Sequence, residues 1–102
     1  MRNTEDKGKK IDTGKKIKTV MQELTELLIL KNEQYGDSAL NPIGIFANGS
    51  AEELIRVRMD DKISRLAMGH DAIEKDEDIF LDLAGYCVLW LVANRNSDGY
   101  WD

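Results

Sequence analysis

The chain holds one cysteine, one proline and one histidine in 102 residues, and only 7% of its side chains are aromatic. The lone cysteine, Cys87, excludes a disulfide within the chain and any zinc site of the CxxC type. It sits in an apolar segment, where it is expected to be inert packing. The single proline, Pro42, falls in a stretch without helical periodicity. The most apolar run, from Ile79 to Ala93, is short of a membrane span and contains Asp82. No signal-peptide pattern opens the sequence, so a cytoplasmic location is expected. Strand alternation, internal repeats, a P-loop and a nucleophilic triad are also missing. His70 follows Gly69 with no evident chemical partner and is expected at the surface.

What is present is helical periodicity and charge. The net charge is -5. Seven positive and three negative side chains precede residue 19, leaving about +4 there and about -9 in the remainder. A basic head on an acidic body could touch nucleic acid or an acidic subunit, but a solvated arm is the commoner case. The acidic body disfavours direct DNA binding, which needs a basic surface.

The periodicity predicts an all-α domain of three main helices. Residues 1–14 read as a mobile basic arm, 15–95 as the helical domain and 96–102 as a tail. Helix 1 is expected from about Lys15 to Gln34, with Ile17, Val20, Met21, Leu24, Leu27 and Leu28 as its apolar stripe. Lys31 and Tyr35 continue that stripe, and Gly36 supplies a left-handed cap. Residues 37–49 form a long loop whose apolar content predicts that it folds over the helices. Helix 2 opens with a capping box, Ser50 and Glu53. It buries Ile55, Met59, Ile63, Leu66 and Ala67, with Lys62 at the stripe's edge, and ends at Gly69. Helix 3 starts near Asp76 or Glu77 and runs to about Asn94. Being apolar nearly all round, it is expected to be central and buried. Three short helices cannot cover such a helix, so a homo-oligomer with helix 3 near the interface is expected.

Four charges then stand on apolar faces: Lys31, Lys62, Asp78 and Asp82. Charged side chains are rarely buried without a partner or a ligand. Asp78 and Asp82, four residues apart, could hold a divalent cation such as Mg²⁺ through oxygen ligands. Alternatively, Asp78 complements the helix dipole, and Asp82 forms a salt bridge with Lys62 or Arg65. Lys31 and Lys62 could meet phosphate as point charges, and Arg58 and Arg65 bidentately. The competing reading of the arginines is ordinary helix-surface pairing with Asp61. Tyr35 and Tyr86 could stack a nucleobase or bond its sugar, or could simply be core residues. Gly85, costly by about 1 kcal/mol in a helix interior, makes room for a close neighbour or a ligand.

Three segments, Lys31-Asn-Glu-Gln-Tyr-Gly-Asp37, Arg58-Met-Asp-Asp-Lys-Ile-Ser-Arg65 and Glu77-Asp-Ile-Phe-Leu-Asp-Leu-Ala-Gly-Tyr86, form an ordered set. The set resembles the "nucleotide modification associated domain 1" family and similar small phage domains, distant relatives of the MazG-type all-α nucleoside triphosphate pyrophosphohydrolases. The resemblance covers roughly residues 20–93. It implies a MazG-like helical bundle and a role in phage or bacterial nucleotide metabolism. The MazG-type enzymes carry an EExxE motif on one helix and ExxD on the next, which hold Mg²⁺ for cleavage between α and β phosphates. Asp78 and Asp82 stand roughly where the ExxD carboxylates would be. Glu52 and Glu53 open helix 2, but no EExxE follows; Arg58, Asp61, Lys62 and Arg65 occupy that region instead.

The expected function is therefore a nucleotide-binding protein, either a Mg²⁺-dependent pyrophosphohydrolase or a non-catalytic sensor or sequestering protein. In either case Lys31, Lys62, Arg65 and Arg58 are the phosphate candidates and Tyr35 and Tyr86 the nucleoside candidates. Asp78, Asp82 and Asp61 are the metal candidates. A purely structural ion-pair network in a helical adaptor is the third possibility.

Overall fold

The computed structural model describes residues 2–69 and 73–101, with side chains from residue 12 onward. His70 lies outside the described residues. Three helices make up the fold: α1 (Arg2–Gln34), α2 (Ala51–Met68) and α3 (Asp76–Ser97). Among the described residues there is no strand, and no helix is long and apolar enough to cross a membrane.

α1 begins at Arg2, well before the expected Lys15. No proline interrupts this stretch, and isolated glycines such as Gly8 and Gly14 cost about 1 kcal/mol each without forbidding a helix. The cap residues behave as their chemistry dictates. Gly36 adopts φ +60°, as does Asp37 beside it, and the chain leaves α1 there. At the other junction, Ser50 Oγ accepts a hydrogen bond from the Glu53 N–H at 3.1 Å, satisfying one of the free donors of α2, while among the described residues the reciprocal Glu53 side-chain bond of the expected capping box does not form. Gly69 closes α2 with φ +66°. α3 has three acidic residues, Asp76, Glu77 and Asp78, in its first turn and Arg95 in its last, matching its dipole at both ends.

α2 and α3 pack as an antiparallel pair. Ile55 and Ile79 are fully buried, and Ala93 nearly so. Ser97 Oγ reaches Glu52 Oε2 at 3.3 Å across the far end. α1 meets α3 through Leu24, which is buried, and through Leu28. A Cβ at Gly85 would come within 2.8 Å of Leu28 Cδ2. The close neighbour of this glycine is thus a side chain of another helix.

The core is much smaller than the periodicity implied. Ile17, Val20 and Met21 of α1 and Ile63 of α2 are all more than half exposed. α3 is covered on two sides only, and Phe80, Leu91 and Cys87 face outward. Cys87 is therefore not internal packing. The 37–49 loop does not close over the helices either: Ile43, Ile45 and Phe46 are exposed, and Leu40 and Pro42 are no more than half-buried. The radius of gyration is 17.4 Å, against about 13 Å for a compact chain of this length. A long α1 that packs against α3 only near its C-terminal end accounts for the difference. The C-terminal tail turns back at Gly99 (φ +68°), and the Arg95 guanidinium lies 4.7 Å from the Tyr100 ring and 5.6 Å from the Trp101 ring.

Candidate functional site

The inward charges converge, but on one another. Lys62 of α2 lies 2.7 Å from Asp82 Oδ2 of α3 and 2.8 Å from Glu74 Oε2 in the connection between those helices. Lys31 Nζ of α1 takes the other Asp82 oxygen, Oδ1, at a longer 3.4 Å. Glu74 Oε1 accepts from Arg65 at 3.1 Å, and Arg65 reaches Asp61 at 3.3 Å. The result is an alternating chain of six charges, Lys31–Asp82–Lys62–Glu74–Arg65–Asp61, which ties all three helices together. Its centre is the least exposed part: the Lys62 side chain is 12% exposed and that of Asp82 23%.

Titration behaviour follows from this arrangement. Burial lowers the pKa of the Lys62 ammonium, but the hydrogen bonds and charges of Asp82 and Glu74 outweigh it, and the group is held above its usual range. Burial raises the pKa of the Asp82 carboxyl, yet Lys62 and Lys31 together hold it below the ordinary carboxylate value. Glu74 is likewise lowered, by its hydrogen bonds from Lys62 and Arg65. Arg65 is raised, chiefly by the hydrogen bond to Glu74 and the Asp61 charge. All of these groups are thus firmly charged at neutral pH.

Beside the network, on the α1 side of α3, lies a cleft of about 270 Å³. Its volume is near the lower end of small-ligand clefts, roughly 300–1,000 Å³. Leu24, Leu27, Leu28, Leu81 and Leu89 form its apolar wall. Lys31, Arg58, Asp82, Tyr35 and Tyr86 supply the charged and aromatic side chains, with Asn32 and Ser38 as further polar groups. Arg58 is exposed and has no ion-pair partner among the described residues. Gly85 and Leu28, in close approach, both belong to the cleft's lining.

Five of the nine sequence-derived site residues are therefore gathered in one cleft. Lys62 and Arg65 are not among its lining; both are committed to carboxylates behind it. Asp61 is an exposed surface residue paired with Arg65, as the helix-surface reading had it. Asp78 is exposed in the first turn of α3, where it complements the helix dipole rather than pointing inward with Asp82. Sequence reasoning missed Glu74, the acid that balances Lys62 and Arg65. It lies in an interhelical connection where no periodicity marks a face.

The three expected metal ligands fit Mg²⁺ poorly. Mg²⁺ takes carboxylate oxygens free to coordinate in near-octahedral geometry. Both Asp82 oxygens are engaged by lysine ammonium groups, and Asp61 is engaged by Arg65. Among the described residues, no three His, Cys, Asp or Glu side chains are grouped to hold a metal.

Set against protein-family models, curated proteins and solved structures, the chain matches none.

Proposed function

We propose that the chain binds a nucleotide, or a related phosphorylated small molecule, in the cleft between α1, α2 and α3. The observation that carries this reading is Arg58. It is a cation without an ion-pair partner among the described residues, and it lines the same cleft as Lys31, Tyr35 and Tyr86. Arg58 offers a planar bidentate donor for phosphate oxygens, and Lys31 adds a point charge. Lys31 holds Asp82 only at 3.4 Å, so it can turn to a ligand while Lys62 keeps Asp82 neutralised. The tyrosine rings and the leucine wall suit the flat, partly apolar body of a nucleoside.

Binding without hydrolysis, as in a nucleotide sensor or sequestering protein, is the form of this function that the side chains favour. Of the carboxylates that would hold Mg²⁺, Asp82 and Asp61 are already paired with cations, and Asp78 stands apart from them in the first turn of α3. Lys62, Arg65 and Glu74 fix the position of Asp82 and of α2, and do not themselves touch the ligand.

The test is a thermal-shift screen of nucleoside mono-, di- and triphosphates and inorganic phosphate, with and without Mg²⁺, followed by product analysis. A ligand that binds only the native state raises the melting temperature by mass action. A nucleotide-dependent rise without Mg²⁺ and with intact nucleotide is the expected result. No rise with any nucleotide refutes nucleotide binding. Release of pyrophosphate in Mg²⁺ would make the protein the hydrolase that the family resemblance implies.

A further inference from the structure

The side of α3 turned away from α1 carries an uncovered apolar seam. Phe80, Ala84, Cys87 and Leu91 follow one another at intervals of four, three and four residues, the spacing of a coiled-coil seam. Phe80 is 57% exposed and Leu91 45%, and Cys87 is exposed between them. Next to the seam, Arg56 and Met59 of α2 and Cys87, Trp90 and Leu91 of α3 line an apolar groove of about 320 Å³. A projecting phenylalanine and an apolar groove thus share one face. Arginine, methionine and aromatic residues are enriched in protein interfaces.

We infer that this face is the contact of a two-fold homodimer in which α3 packs antiparallel on α3 of a second copy, each Phe80 entering the other copy's groove beside Leu91. The occupant is a second copy because the face is self-complementary. It holds both the knob and the hole, as an isologous contact requires. Orientation follows from charge. A parallel pair would place Asp76, Glu77 and Asp78 of one copy against the same three acids of the other. The antiparallel pair places them instead beside the last turn of α3, where Arg95 and the cap residue Asp98 balance, and opposes the two helix dipoles favourably. The small residues Ala84 and Cys87 fall at the middle of the seam, where the two helices come closest. This inference is independent of the nucleotide reading, since the cleft lies on the other side of α3.

Sedimentation of the full chain at micromolar concentration tests it. The native protein is expected to sediment at twice its monomer mass, and Leu91→Glu at the monomer mass with unchanged helical circular dichroism. Should Leu91→Glu lose helicity, Phe80→Asp, at a more exposed position, gives the same reading. Orientation is read in a Cys87→Ser background by mixing Glu77→Cys with Asn94→Cys under mild oxidation. Covalent dimers joining the two variants are expected, with little self-linkage of Glu77→Cys. A native monomer, a dimer that survives both Leu91→Glu and Phe80→Asp, or efficient self-linkage at position 77 overturns the inference.

Discussion

Lys62 and Asp82 face each other at 2.7 Å across the α2–α3 contact, and Glu74 holds the same ammonium from its other side at 2.8 Å. One cation is shared by two carboxylates, so the cost of losing each partner is unequal. Removing Lys62 takes one of two cations from each of two acids, leaving Asp82 only the longer contact with Lys31 and Glu74 only Arg65, whereas removing Asp82 leaves Lys62 still paired with Glu74.

Lys62→Met is therefore expected to destabilise the fold by about 1–3 kcal/mol, below the cost at a fully buried pair because the site is partly solvated and each acid keeps a second cation. The double variant Lys62→Met, Asp82→Leu is expected to lie within about 1 kcal/mol of the native protein, because Arg65 still satisfies Glu74 and Lys31 is exposed enough to be hydrated. Urea denaturation of the two variants checks this. A double variant as unstable as Lys62→Met alone would contradict it.

Stability should fall in acid. Asp82 and Glu74 have folded-state pKa values below their ordinary 3.8 and 4.5. Their contribution is thus complete above those ordinary values and is lost as pH falls through the lowered ones. Lys62, held above its ordinary 10.5, contributes fully below that value and loses its contribution only as pH rises through the raised one. Thermal melts should show a plateau between about pH 5 and 10 and a decline below about pH 4. The acid decline should be shallower in Glu74→Gln. An equal decline in that variant would place the acid-sensitive group elsewhere.

Gly85 limits how α1 and α3 meet. Gly85→Val would press branched carbons into Leu28 and is expected to cost about 1–3 kcal/mol as overpacking. It should also weaken ligand binding, since Leu28 and Gly85 both line the cleft. Gly85→Ala is milder: only the end of the Leu28 side chain need shift, and about 1 kcal/mol of helix propensity offsets the strain. Chemical denaturation of both variants distinguishes a tight contact from an open one, in which valine would be tolerated.

Ser50→Ala should cost about 1 kcal/mol by freeing the Glu53 N–H at the start of α2. A fall in helicity confined to α2, read by amide exchange, is the expected signature. No change in Glu53 exchange would show that the cap is dispensable.

The sequence made the helix number and most of their ends legible because capping chemistry is local: Ser50 with Glu53, Gly36 and Gly69 each act within a few residues. It also exposed Lys31, Lys62 and Asp82 as inward charges, because an apolar stripe makes an intruding charge visible. It offered the Lys62–Asp82 salt bridge only as an alternative to a ligand site, since whether a charge meets a partner depends on how three helices cross. Asp78 shares a helical face with Asp82, yet α1 does not extend over it, so it stays in solvent. Ile63 and Met21 lie on periodic stripes but remain exposed, because a stripe records what a helix can bury, whoever supplies the cover. Glu74 had no pattern at all.

The central claim is that Lys31 and Arg58 make the cleft a phosphate-binding site. Isothermal titration calorimetry of the native protein and of Arg58→Met, using the nucleotide that gives the largest thermal shift, tests it most directly. Arg58 supports no ion pair among the described residues, so its loss should leave stability within about 0.5 kcal/mol. The lost charge-assisted bond should weaken binding by at least tenfold, or about 1.4 kcal/mol. Unchanged affinity in a folded Arg58→Met protein would mean that the ligand sits elsewhere or that the cleft binds none.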